Sequence, residues 1–555
     1  MATLPKTTTL LCALFLVCSW ALPSFFTLSP YSPTVAQCPS TPLIRSAIGL
    51  SAGEAFYRSR RDRVTHRAFQ QYVSRQNEQL SLGDGFTYHR PPTIALASSG
   101  GKIRALLSGA GVVQAMDLRD PGSGNSNLKG LYQAMSYHAG VDGGAYLWQR
   151  SFPTATLLPS HIRPGRAYAE IALDLAAKEL NGFQSTLADS LGGLLSFHLF
   201  YDVPRMPRTL SGLLRQSMFN SFETPYPIIT ALKSDRIIDH KGCDQITNRS
   251  LQFEFHPYET GTWEPGHRVF AQTGFLGTPL ADGIPLTQPT CLKSFDSLSL
   301  ILAISSNAFY RFCSVVPNTN LLTGEWGNME NDLIGLIGTL HKPTHLDEYG
   351  LIPNPFFDSS LAPGLSAEET FYMVDGTSAG ENVPLWPLIQ PERKVDVIVV
   401  NDNSDDTMDG YPNGASLYNT YIRSREIGLD TMPAIPLPET LQMLGLKTRP
   451  VFFGCHDSSV ITIIYLPNHA YNISSNKSSY DLSWSAQDVV DVIANGRNVA
   501  TNGQDPTWPR CLTCALLVKV NQGLLPSHCS ACLRQYCWPR DDGLPNPDLA
   551  PIYED

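Results

Sequence analysis

The sequence predicts an α/β fold with a mixed central sheet and helices on both faces. Three observations predict it. Short apolar β-runs recur at 93–97, 133–141, 371–374 and 395–400. Each stops at a turn of glycine, Asp or Asn, and the first two continue into segments with helical character, at 103–115 and 145–150. With 43% hydrophobic and 16% charged residues over 555 positions, the chain can bury a large core, which excludes disorder as its main theme.

At the start, Lys6 precedes an apolar stretch at 10–22 that matches a secretory leader and is too short to span a bilayer. Ser19-Trp20-Ala21 places cleavage near Ala21, with Ala36 as second choice, so 1–21 is read as a signal peptide and the product as secreted. Of twelve cysteines, Cys12 and Cys18 fall in that leader. The even remainder includes Cys511-x2-Cys514 and Cys529-x2-Cys532, a zinc-ribbon spacing that an oxidising compartment turns into a disulfide staple over 511–537. Cys38, Cys243, Cys291, Cys313 and Cys455 then pair across loops or with Cys537. Asn248, Asn472 and Asn476 head glycosylation sequons. The polar extension 541–555 carries no hydrophobic tail for a lipid anchor.

Residues 38–90 carry charges every few positions around a thin apolar stripe and read as a helical lead-in to a body spanning 38–540. The run 460–466 is a core strand and not a membrane segment. A formal charge of −10 without a long Lys/Arg run argues against nucleic acid as a partner. Thirteen histidines show no ligand spacing, so no metal is expected.

Chemistry concentrates where the strands end. Ser99-Gly-Gly-Lys-Ile-Arg104-Ala-Leu, Gly140-Val-Asp142-Gly-Gly-Ala, and Val374-Asp375-Gly376 continuing into Glu381-Asn-Val-Pro-Leu-Trp-Pro-Leu-Ile-Gln-Pro-Glu-Arg393 resemble the fungal phospholipase B, or lysophospholipase, family. That family is itself similar to the catalytic domain of cytosolic phospholipase A2. The likeness runs from about Cys38 to the cysteine tail, including Phe253-Glu-Phe-His-Pro-Tyr-Glu-Thr-Gly-Thr-Trp263. It implies a patatin-like or cytosolic-phospholipase-like body and cofactor-free release of fatty acid from lysophospholipids and phospholipids, with peripheral contact to lipid surfaces. It further implies a Ser/Asp device: a Ser at a tight strand-to-helix turn attacks, an Asp takes its proton, and glycine N–H groups hold the oxyanion. Carried over by position, Gly100 and Gly101 lie on the oxyanion turn, Gly143 beside it, Arg104 on the charge-steadying position and Asp375 on the base, with Arg393 a second, phosphate-binding charge.

The nucleophile does not carry over. Where the family pattern reads Gly-Leu-Ser-Gly-Gly-Ser, this chain has Asp142 in place of the Ser; Lys102 replaces the third glycine of the oxyanion turn and Thr377 the glycine after Gly376. Three changes in one site point to a disarmed catalyst that keeps phospholipid binding. Asp142 is then read as a helix N-cap stabilising its own turn. One alternative is a carboxylate dyad of Asp142 and Asp375 activating water. Another is a nucleophile elbow at Gly376-Thr-Ser378-Ala-Gly380 served by Asp402 or Asp405 and His456 or His469, which Pro384 and Pro387 oppose by interrupting the helix an elbow needs.

Overall fold

The computed structural model describes residues 31–80, 85–124, 126–147, 155–156, 164–200, 209–235, 246–247, 249–306, 349–471, 473–478, 483–521 and 524–538. The leader 1–21, Asn248, Asn472, Cys243, Cys313, residues 148–150 and the extension 541–555 lie outside them. Among the described residues no helix is long and apolar enough to cross a membrane.

A thirteen-stranded sheet organises the fold. In chain order its strands are β1 (Ile44–Ser46), β2 (Ile94–Ser98), β3 (Met135–Gly140), β4 (Tyr226–Lys233), β5 (Leu251–Phe255), β6 (Glu259–Thr262) and β7 (Val269–Gln272). They continue as β8 (Gly350–Pro353), β9 (Thr370–Val374), β10 (Val397–Asp402), β11 (Val451–Phe453), β12 (Thr462–Pro467) and β13 (Cys537–Trp538). The spatial order is β13-β11-β12-β10-β2-β3-β4-β5-β6-β7-β1, with β9 pairing both β4 and β8. The stretch β12-β10-β2-β3-β4 is parallel, so those strands open their carboxyl ends on one side, where α/β sheets place their sites. From β5 to β1 the sheet is antiparallel.

Alternation explains the two-sided burial. Ile94, Leu96, Val397 and Val399 face one apolar cluster while Ala95, Ala97, Ile398 and Val400 face another. The first is closed by α1 (Ala52–Glu78), α2 (Lys102–Met116), α7 (Ala486–Thr501) and α8 (Trp508–Leu517), through Phe69, Tyr72, Val112, Met116, Val499, Leu512 and Leu516. Across the sheet, Leu417 of α6 (Ala415–Glu426) packs with Trp386 and Leu388. Beyond β4, α4 (Leu187–Phe200) and α5 (Leu298–Ser305) cover the antiparallel half, while α3 (Pro164–Leu180) packs against α4. The expected lead-in is one helix, α1, capped by the Ser51 hydroxyl accepting from the Glu54 N–H at 3.0 Å, and β1 precedes it at the sheet edge.

The tail is a disulfide staple. Cys511–Cys532 and Cys514–Cys529 tie α8 to α9 (Cys529–Tyr536) one helical turn apart. Cys455–Cys537 holds the tail to the sheet edge, and Cys38–Cys291 closes the N-terminal segment onto residues Thr290–Lys293. His528 lies within ligand reach of Cys514 and Cys529, yet those two sulfurs are bonded to each other.

Candidate functional site

Strand geometry brings Asp142 and Asp375 together. β3 runs parallel to β4 and ends with Gly140 opposite Ile229, while β9 runs antiparallel to β4 and ends with Val374 opposite Leu232. Since β5 occupies the other edge of β4, both approach along one edge from opposite directions and leave a gap at Thr230 and Ala231. Asp142 and Asp375 follow the two strand ends into that gap. Ser305 of α5 bridges it: its hydroxyl donates to the Thr230 carbonyl at 2.8 Å and accepts the Asp142 N–H at 3.1 Å. No sequence motif marked Ser305, the residue that closes the largely apolar helix α5.

Asp142 sits at φ +50, in the left-handed region that costs a non-glycine residue strain. It begins a 3-10 turn (Asp142–Tyr146) where helix from 145 onward was expected. Its carboxylate does not cap that turn, as the sequence suggested; the N-cap is Val141 with no side-chain bond. Instead Oδ2 accepts the N–H groups of Gly101 at 3.0 Å and Lys102 at 2.8 Å, the uncapped start of α2. The reason is geometric: β2 and β3 are adjacent and parallel, so the side chain leaving β3 faces the helix start that follows β2. A charge-assisted cap of this kind is worth about 1 kcal/mol.

The close approach needs glycine. A Cβ on Gly143 would lie 1.9 Å from the Lys102 carbonyl oxygen, and one on Gly100 would lie 2.2 Å from Asn382 Oδ1 and 3.1 Å from Asp142 Cβ. Lys102, where glycine was expected, is also left-handed, at φ +52. Asp375 caps the 3-10 turn Gly376–Ala379, its Oδ1 accepting the Thr377 N–H at 2.9 Å. Burial, then the charge of Asp142, against the opposing Lys102, pushes the Asp375 carboxyl up to about 7.

That shift has a thermodynamic sign. A carboxyl raised in the folded state binds its proton there while the unfolded chain has already lost it, so its stabilising contribution is present below the unfolded value near 4 and disappears as pH rises through about 7. Asp375→Asn is therefore expected to gain stability relative to the parent as pH rises from about 4 to about 7, by at most about 1.4 kcal/mol per pH unit, and to level off above. Urea midpoints across that range check it; a difference that does not change with pH would contradict a buried Asp375 carboxyl raised in the folded state.

The other expected charges lie elsewhere. Arg104 is fully buried, donating to the carbonyls of Asn403 at 2.6 Å, Gly410 at 3.1 Å and Lys477 at 3.3 Å, with Asp405 at 4.0 Å. It clamps the loop after β10 rather than presenting a free charge. Arg393, read as a phosphate-binding position, is also fully buried: it pairs with Glu54 Oε1 at 2.9 Å and Glu254 Oε1 at 2.5 Å and donates to the Pro387 carbonyl at 2.8 Å. No face of it is left for a phosphate, which corrects that assignment; the residue joins α1 to β5. Ser378 is half-buried within the Gly376–Ala379 turn and is not among the left-handed residues, so the strained elbow conformation belongs to Asp142. Asp402 is held by Ser404 and Tyr465, Asp405 and His456 are exposed, and His469 packs on Tyr471. Asn476, the described sequon, donates its side-chain amide to the Asp409 carbonyl at 2.8 Å.

The lysophospholipase catalytic domain model matches residues 94–151 and 149–542. The chain belongs to the lysophospholipase family. Lysophospholipase 1 of Saccharomyces cerevisiae is 32% identical over 553 residues, covering 89% of this chain and 81% of the relative. The lysophospholipase of Torulaspora delbrueckii is 32% identical over 583 residues, covering 94% and 88%. Among solved structures, human GIVD cytosolic phospholipase A2 shares the fold of this lysophospholipase-family chain with a TM-score of 0.64 at 16% identity, covering 88% of this chain and 72% of that one.

Proposed function

We propose that this chain is a secreted, glycosylated member of the lysophospholipase family that binds lysophospholipids and phospholipids while having lost ester hydrolysis, because Asp142 stands where the family's nucleophilic Ser is expected. The observation that carries this is the position of Asp142 Oδ2 on the N–H groups of Gly101 and Lys102. Those are the donors that would hold the oxyanion of a tetrahedral intermediate; filled by a standing carboxylate, they offer the transition state nothing, and losing a single such donor costs about 10²–10³ in rate. A carboxylate is also a weak nucleophile towards an ester and brings no hydroxyl proton for Asp375 to accept. The four disulfides among described cysteines support export to an oxidising compartment.

Purified secreted protein is expected to bind lysophosphatidylcholine by calorimetry while releasing fatty acid no faster than a buffer control, and to shift in mass on glycosidase treatment. Turnover above background would overturn the loss of hydrolysis. One observation favours a second reading: Asp375, pushed up to about 7 beside Asp142, carries the proton distribution of a water-activating dyad. In that case the parent turns over and Asp142→Ala does not.

A further inference from the structure

Hydrogen bonding on the site floor is lopsided. Its donors are used: Gly101 and Lys102 give their N–H groups to Asp142 Oδ2, Gly100 gives its own to the Asn382 carbonyl at 2.9 Å, and Thr377 gives its own to Asp375 Oδ1. With Asp375 ionised, acceptors are left over. Asp142 Oδ1, Asp375 Oδ2 and Asn382 Oδ1 have no hydrogen-bond partner, and their residues are 1%, 1% and 7% exposed. Asn382 Oδ1 and Asp142 lie against Gly100, whose missing Cβ would be 2.2 Å from Asn382 Oδ1, 2.9 Å from the methyl of Thr377 and 3.1 Å from Asp142 Cβ, and Asp375 is close enough to feel the Asp142 charge.

A buried acceptor without a donor costs about 1–3 kcal/mol, and more when it is ionised. A guest that brings only acceptors, such as an ester carbonyl or a carboxylate, adds to that cost, whereas a guest that brings donors removes it. A protonated primary amine offers three N–H donors and one positive charge.

We infer that this site selects single-chain amphiphiles whose head group donates hydrogen bonds, a protonated primary amine fitting best, over those ending in a carboxylate or an ester. The selectivity rests on the same fixed Asp142 carboxylate as the proposed loss of turnover, and it is measured separately.

The test is calorimetric titration of the full secreted chain, at about pH 8 where an alkylamine stays charged, with dodecylamine and with dodecanoate below their micellar concentrations. The tails are identical, so their burial cancels. The amine is expected to bind at least about tenfold more tightly, and Asp142→Asn and Asp375→Asn, each checked for an intact melting transition, to shrink that preference at least about fivefold. Equal affinities, a tighter carboxylate, or a preference that survives both substitutions would overturn the inference, the last because the amine is then held elsewhere. Fatty-acid release from lysophosphatidylcholine, followed in the same samples, keeps the two ideas apart: hydrolysis by the parent defeats the loss of turnover and leaves the amine preference standing, while a missing preference defeats only the selectivity.

Discussion

Asp142→Ser should raise fatty-acid release from lysophosphatidylcholine from background by at least about 10²-fold. The substitution removes the carboxylate from Gly101 and Lys102, whose N–H groups then face the reacting carbonyl. It also supplies a hydroxyl beside Asp375, whose carboxyl, freed of the Asp142 charge, is still pushed up by burial and can take a proton. The backbone at φ +50 is already that of an exposed nucleophile on a strained turn. Recovery should stay partial, because Lys102 keeps a side chain at the expected oxyanion glycine and Thr377 crowds Gly100, its methyl 2.9 Å from the missing Cβ. Adding Lys102→Gly and Thr377→Gly is expected to raise the rate further. Asp142→Ala opens the same donors without a nucleophile and should gain nothing; if it matches Asp142→Ser, water and not the serine is attacking.

Arg393→Met should destabilise the fold by about 3–5 kcal/mol, the usual result of removing one member of a buried ion cluster. Glu54 and Glu254 would be left buried without their counter-charge, and the guanidinium's place against the Trp263 ring, 5.5 Å from its centroid, would be lost as well. Burial pushes both carboxyls up and Arg393 opposes it, prevailing at Glu54 but not at Glu254. The decisive comparison is Arg393→Lys. A phosphate-binding cation would survive that change, whereas one ammonium cannot reproduce the forked bonds to two carboxylates, so a large loss in the urea midpoint is expected from Lys too. A midpoint near that of the parent would return Arg393 to the ligand.

Much of the framework was legible because apolar runs bounded by turn residues are local signals. The runs at 93–97, 371–374, 395–400 and 460–466 match β2, β9, β10 and β12 with ends displaced by two residues or fewer. Asp142 and Asp375 were legible as strand-end residues because each follows such a run. What escaped was non-local. That Asp142 caps α2 and not its own turn depends on β2 lying beside β3, and nothing near position 142 states that neighbour. Arg393 ends a turn-like stretch and Arg104 stands in the first turn of a helix, and each was read as a charge for a ligand; their burial follows from Glu54 and Glu254 in one case and from the carbonyls of Asn403, Gly410 and Lys477 in the other, all distant in the chain. Ser305 was missed for the same reason, since the Thr230 carbonyl it satisfies is exposed only where β3 and β9 fail to meet.

The gap on β4 also sets an order of assembly. Asp142 and Asp375 meet only after β3 and β9, from far-separated parts of the chain, have docked on the same edge, so closing the loop between them is entropically late. The repulsion between the two carboxyls then enters after the barrier to folding has been crossed, and it should hasten unfolding while leaving the folding rate almost unchanged. Asp142→Asn would accordingly lengthen the lifetime of the native state without quickening its formation, making the Asp142–Asp375 pair a setting of kinetic persistence as well as of chemistry.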